Sequence, residues 1–378
     1  MSAIARYGKI YFGSLLTSLT LIAGFNWAID PADIFRAIEG NFNEVKPFVD
    51  RQGSSRVKSL ELAEENYDTL LVGNSRVFWG LNPEAPAFAG LNAYNGGIKS
   101  ASLYQVSEIL KYADQHQDLK KVILGLNLSL FDVRRPEVLP SQDFPNSGFA
   151  GKNVVLANWG SLFSYKTLLH SGFTLLYNRR ETTHERYTDR GYLNPDYPGV
   201  SRTKNFKKIA IKMQNGNYPS AFNYGRKTLS VFQELLDLCR DRQIELIIFI
   251  EPGHVIAEEW LVESRNIKTV ESWKKIIVAM VAASQGDVTL WDFSGYNTVT
   301  KEKVPQDETQ EMQYFLDPIH YTNETGLLIA ERIMLGDLSS EAVPEDFGVI
   351  LTPENISSHI EAIGNQAETY QIQQLTIN

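Results

Sequence analysis

The sequence predicts an α/β protein, a three-layer sandwich with a central, mostly parallel sheet of five strands. Three observations predict it. Five short apolar runs, mostly flanked by turn-forming or charged residues, have the look of buried parallel strands: residues 69–73 (TLLVG), 93–95 (AYN), 122–126 (VILGL), 246–250 (LIIFI) and 288–293 (VTLWDF). Helix-like segments at 102–116, 227–242 and 269–283 lie between them, and such alternation implies parallel crossovers covering both sheet faces. Finally, 378 residues that are 43% hydrophobic and 21% charged hold enough apolar side chain for a sizeable core, which excludes a disordered or collagenous chain.

Charge and cysteine content narrow the classes further. Lys plus Arg number 36 against 45 Asp plus Glu, a formal net charge of -9. General nucleic-acid binding needs a dense basic surface to displace counterions, so no nucleic-acid partner is expected. The lone Cys239 excludes an internal disulfide framework and any Cys-rich zinc or iron–sulfur site.

Taken in order, residues 1–30 read as a membrane anchor. Residues 10–29 (IYFGSLLTSLTLIAGFNWAI) carry no charge, with Arg6 and Lys9 before them and Asp30 and Asp33 after. Twenty helical residues cover about 30 Å of hydrocarbon. The basic flank places the N-terminus in the cytoplasm and the rest outside. The apolar run is longer than a signal-peptide core and lacks a clear small-x-small site, so an uncleaved anchor is expected, with a cleaved signal as the alternative. Residues 31–66 read as a stalk with a helical lead-in. Residues 67–340 form the main domain, interrupted at 133–224 by an insertion suited to capping a site. It holds a helix near 159–177 and a polar stretch with Tyr187, Tyr192 and Tyr197, which either stack on sugar rings or simply pack. Residues 341–378 form a tail with a helix-like segment at 353–363.

In an open parallel sheet, ligands bind outside the carboxyl ends of the strands. Gly73-Asn74-Ser75-Arg76 follows the first run and Asn95-Gly96-Gly97 the second. Gly125-Leu126-Asn127 ends the third, Glu251-Pro252-Gly253-His254 follows the fourth, and Asp317-Pro318-Ile319-His320 lies downstream of the fifth. Each alone has an ordinary explanation: Ser75 as a helix cap, the glycines as a turn, Asn127 as a strand-end cap. Jointly they supply what acyl transfer requires. A serine hydroxyl needs an imidazole to take its proton, and the imidazole needs a carboxylate to hold its tautomer. The developing oxyanion needs preorganised donors, for which the Ser75 and Gly97 amides and the Asn127 side chain are candidates.

These blocks, GNSR at 73–76, YNGG at 94–97, GLNL at 125–128 and DPIH at 317–320, resemble those of the SGNH (GDSL-like) hydrolase superfamily. An apolar N-terminal helix, Asp30-Pro31 and YDTLLVGNSRVFWGLNPE resemble a bacterial membrane-anchored branch of it. The resemblance covers residues 67–335 and the anchor. It implies a flavodoxin-like fold, Ser75 as nucleophile, His320 as base, Asp317 as its partner, and Ser75, Gly97 and Asn127 as the oxyanion hole. Two blocks depart from the pattern: Asn74 stands where many members have Asp, and GLNL replaces Gly-x-Asn-Asp, which makes Asn127 less secure than the triad. The G-x-S-x-G elbow of α/β-hydrolases is absent, since Val77 stands two after Ser75.

The expected function is therefore a membrane-anchored, extracytoplasmic serine esterase or O-acyltransferase in the bacterial inner membrane. Its expected substrates are acyl esters, acetyl foremost, of cell-envelope or exported polysaccharide. Transfer would need a membrane partner to hand acyl groups across, and the anchor would contact lipid. Asn74, Arg76 and His254 are candidate pocket residues, though Arg76 pairing with a carboxylate and His254 in a structural loop are the more ordinary readings. His116, His170, His184 and His359 lack metal-site spacing, and no cofactor is expected. The competing class is a non-catalytic polysaccharide-binding or assembly protein retaining the fold. A phosphate-handling enzyme is disfavoured by the missing P-loop and carboxylate cluster.

Overall fold

The apolar runs pair into one sheet, as a computed structural model of the chain shows. Described are residues 3–49, 54–134, 136–137, 143–180, 186–195, 201–216, 223–263 and 266–370. The strands are β1 (Thr69–Val72), β2 (Ala93–Asn95), β3 (Lys121–Leu126), β4 (Glu245–Ile250), β5 (Val288–Asp292) and β6 (Val349–Ile350). The helices are α1 (Ala3–Ile29), α2 (Ser54–Glu64), α3 (Ser75–Gly80), α4 (Leu103–His116), α5 (Val154–Asn158), α6 (Tyr165–Asn178), α7 (Arg202–Gln214), α8 (Arg226–Arg242), α9 (Val255–Glu263), α10 (Ile267–Ala283), α11 (Asn323–Leu335) and α12 (Ile356–Thr369). The chain forms two units, Met1–Glu64 with Pro140–Thr188, and Glu65–Leu139 with Asp189–Asn378.

The second unit holds the sheet, in the order β2-β1-β3-β4-β5-β6. The first five strands are parallel and share one register, with Asn95, Leu71, Ile123, Ile247 and Thr289 in a row. Leu71, Ile123 and Ile247 join Phe206 of α7 and Ile329 of α11 in one buried cluster. Their neighbours Leu70, Val122 and Leu246 point the opposite way by strand alternation and are equally buried, so both faces are covered. That double burial is why these strands read as continuous apolar runs. Five strands were expected; the sheet has six. The sixth, Val349–Ile350, runs antiparallel against Trp291 and Asp292. It is two exposed residues long and pairs through backbone, too short to stand out as a strand in the sequence.

From β1 the chain moves outward to β2 and returns across β1 to β3, so the strand order reverses between β1 and β3. The carboxyl ends of strands at such a reversal are the usual ligand position in open parallel sheets. The helices are capped as their sequences dictate. Ser102 and Gln105 form a reciprocal capping box on α4, and Thr322 accepts the Thr325 N–H at the start of α11.

The first unit contains α1, α2, α5 and α6. Among the described residues one stretch, Arg6–Ile29, is long and apolar enough to cross a membrane, 24 residues with mean hydropathy 1.4. Following α1, the Asp30 carboxylate accepts the N–H groups of Ile34, Phe35 and Arg36, which folds the expected stalk into a tight turn. Of the residues expected as an insertion, 133–224, those from 140 to 188 group with the N-terminal residues, while 189 onward belong with the sheet. Tyr197, His184 and the end of the tail lie outside the described residues.

Candidate active site

Each catalytic candidate is placed by a local feature of sequence. Asn74, directly after β1 and Gly73, caps α3 by accepting the Arg76 N–H at 2.9 Å, and its carbonyl accepts the Phe78 N–H. Ser75 is thereby the first residue of the helix, where a backbone N–H has no intrahelical acceptor. Asn74, a candidate pocket residue, is a capping residue 6% exposed.

His320 closes a tight loop. Phe315 bridges to Tyr321, and the Leu316 N–H reaches the His320 carbonyl at 2.8 Å. Asp317 Oδ1 accepts the N–H groups of Ile319 and His320 at 2.8 and 2.9 Å. Asp317 Oδ2 faces His320 Nδ1 at 2.8 Å, and His320 Nε2 faces Ser75 Oγ at 2.8 Å. An ionised carboxylate only accepts, so Nδ1 carries the proton and Nε2 presents its lone pair to the Ser75 hydroxyl. Burial pushes the Asp317 carboxyl up, but the electrostatic effect of the His320 ring and the hydrogen bonds from His320 and Ile319 outweigh it and hold it below the usual carboxylate range. The Trp79 ring lies against the imidazole, centroids 4.7 Å apart.

The oxyanion candidates are placed differently from expectation. The Gly97 N–H donates to Asn95 Oδ1 at 2.9 Å, so it already has an acceptor. Asn95 is fully buried and donates through Nδ2 to the Val77 and Leu81 carbonyls, fastening the end of β2 to α3. Glycine is needed at 97 for closeness, since a Cβ there would fall 2.8 Å from the Phe78 nitrogen. Asn127 donates through one Nδ2 hydrogen to Glu251 Oε2 and accepts the Ser129 hydroxyl at Oδ1. Its second Nδ2 hydrogen remains for a ligand.

Sequence reasoning passed over Glu251, which closes this group. It directly follows β4 and is 2% exposed, with Oε1 buried and unpartnered and Arg76 Nε 3.9 Å from Oε2. Burial pushes its carboxyl up, against the opposing effects of Arg76, Asn127 and His320. Its position directly after an apolar strand was the available signal. Arg76 thus meets a carboxylate, its ordinary reading.

His254 is 2% exposed and does not line an open pocket. Its Nε2–H donates to the Glu302 carbonyl at 2.7 Å and its Nδ1 accepts the Ile256 N–H at 3.2 Å. Burial lowers its pKa to about 4. Its backbone N–H reaches the Pro318 carbonyl at 2.9 Å, so it braces the Asp317–His320 loop.

A second Asp–His contact, His359 Nε2 to Asp292 Oδ2 at 2.9 Å, has different neighbours. Lys274 Nζ donates to the same carboxylate and to Ser294 Oγ, whose proton goes to Asp292, making a buried ionic network. Among the described residues no group of three or more His, Cys, Asp or Glu is arranged to hold a metal ion.

Neither a protein-family model nor a curated protein matches this chain. The functional reading therefore rests on its own residues.

Proposed function

We propose that the chain is an SGNH-type serine hydrolase that acts as an esterase or O-acyltransferase on acyl esters of polysaccharide. The observation that carries the reading is the unbroken Asp317–His320–Ser75 relay, 2.8 Å at each step, at the carboxyl edge of a parallel sheet. In it, Ser75 Oγ attacks the ester carbonyl carbon while its proton passes to His320 Nε2. The carbonyl electron pair moves onto oxygen, where the Ser75 N–H and the second Asn127 Nδ2 hydrogen donate to it. Asp317 stabilises the imidazolium without taking its proton. Collapse expels the alcohol, which takes the proton from Nε2 and leaves the acyl group on Ser75. Water or a sugar hydroxyl then gives its proton to Nε2 and attacks the acyl carbon. The first acceptor releases the acid and the second a new ester.

The anchor reading belongs to the same proposal. Arg6–Ile29 would span the bacterial inner membrane once, with Arg6 and Lys9 on the cytoplasmic side and the sheet outside. Cell-envelope or exported polysaccharide is then the accessible acceptor, acetyl the expected group, and a membrane protein the source of acyl groups for transfer.

The test is to trap the acyl-enzyme. Full-length protein in detergent is incubated with p-nitrophenyl acetate and quenched, and its peptides are mapped by mass spectrometry. Acetyl on Ser75, absent in His320→Ala, is the expected result. Polysaccharide binding with no acetylated Ser75 would favour the non-catalytic reading instead.

A further inference from the structure

Helix α6 turns most of its apolar side chains outward. Its buried side carries Ser171 and Thr174, both fully buried, together with Tyr177, and Asn178 is hydrogen-bonded to Val45. Its open side carries Tyr165, Leu169, Phe173 and Leu176, at 72, 54, 48 and 61% exposure. At 100° per residue these four fall within about 80° of arc, a single apolar stripe. Just upstream, α5 buries Asn158 and exposes Leu156 at 73%, and the turn after it exposes Trp159. A water-facing helix hides its apolar side; the reverse pattern suits a helix whose outer medium is apolar.

What covers the stripe is indicated by what α6 is fastened to. Asn26, near the end of α1, is 1% exposed; it donates to the Leu162 carbonyl and accepts the Ser171 hydroxyl, each at 2.8 Å. The stripe is therefore carried on a helix held beside α1, whose Leu16 and Leu21 are each 68% exposed. Lys152, Lys166, Arg179 and Arg180 are exposed around it, suiting anionic headgroups. With 14 residues, α6 reaches about 21 Å, too short for the roughly 30 Å core, so it would lie along a bilayer rather than through it. Trp159 and Tyr165 are the residue types that settle at headgroup level.

We infer that α5, the turn after it and α6 form a second membrane-contacting element, whose apolar stripe lies in the headgroup boundary of the bilayer that α1 crosses. This rests on the reading of α1 as a membrane span.

The experiment uses full-length protein in phosphatidylcholine–phosphatidylglycerol vesicles. Single cysteines at Leu16→Cys, Leu169→Cys, Leu176→Cys and Glu354→Cys carry an environment-sensitive fluorophore. The native Cys239 is buried and its thiol is pushed up to about 12, so it stays unlabelled. Probes at 169 and 176 are expected to lose about half their emission to a lipid quencher placed 5–10 Å deep, where interfacial helices sit. The Leu16 probe should respond to a deep quencher and the Glu354 probe to neither. If the 169 and 176 probes behave like that at 354 while 16 is quenched, the anchor stands and this inference is overturned, the stripe being covered by protein instead. If 16 is also unquenched, the anchor reading fails and this inference with it.

Discussion

Gly326 lies against Gly80 so closely that a methyl group on Gly326 would sit 1.7 Å from the Gly80 carbonyl oxygen. Gly80 in turn leaves no room for a Cβ beside the Tyr321 ring, 2.0 Å away. The two glycines let α11 touch α3, five and six residues beyond Ser75 and His320 respectively. Two residues 245 positions apart are thereby brought to 2.8 Å. The hydroxyl and the imidazole owe their closeness to this backbone contact, while the Asp317 side chain orients the ring.

Substitution at that contact should be costly. Gly326→Ala is expected to lose about 3 kcal/mol or more by overpacking, read as a fall in the denaturant midpoint of the full-length protein. Gly364→Ala, on the exposed side of α12 with nothing within 4 Å of its Cβ, should instead gain about 0.5–1 kcal/mol of helix propensity. Equal shifts for the two would contradict the close approach.

Asp317 accepts three hydrogen bonds with two oxygens, and an amide offers only one oxygen in their place. Asp317→Asn should therefore lose the His320 tautomer and lower kcat for p-nitrophenyl acetate by roughly 10²–10⁴-fold. A fall of less than about tenfold would mean that Asp317 does not orient the base.

In the proposed mechanism Glu251 would act as a positioning residue through Asn127. Glu251→Leu should lower kcat by about 10²-fold with little change in KM, because Asn127 would lose the acceptor that aims its amide. Glu251→Gln keeps an acceptor oxygen and should recover most of that activity. A KM effect in place of a kcat effect would assign Glu251 to ground-state binding instead.

His254 makes stability depend on pH. Its neutral form is fixed by one donated and one accepted hydrogen bond, and its pKa falls from 6.5 to about 4. Between those values the unfolded chain binds the extra proton, so stability rises with pH across that window. The difference amounts to roughly 3 kcal/mol, present above pH 6.5 and lost by about pH 4. Asp292 and Asp317, both held below the usual carboxylate range, extend the loss in the same direction at lower pH. The difference between the denaturant midpoints of wild type and His254→Gln should show it, growing in favour of wild type as the pH rises from 4 to 7.

Much of the sheet was legible because double burial makes parallel strands apolar throughout, and each expected run lies within one residue of an observed strand. Ser75 was legible as a residue type placed just after a strand, and Asp317 and His320 as an Asp-x-x-His pair downstream of the fifth run. Glu251 was not, since a charged residue ending an apolar run ordinarily signals the turn into solvent. The Gly97 contact with Asn95 depends on where a side chain folds back, which spacing does not encode. The inverted face of α6 was hidden for a related reason. Helical periodicity reports that two faces differ, not which of them is turned inward.

The most direct test of the Ser75–His320 relay is labelling of the full-length protein with a fluorophosphonate, comparing wild type with Ser75→Ala and His320→Ala. An activated serine at position 75 predicts rapid labelling of the wild type and none of Ser75→Ala. For His320→Ala the labelling rate should drop by at least about 10²-fold, since the hydroxyl loses its base. Wild-type protein that folds, binds no probe and matches Ser75→Ala would contradict the account.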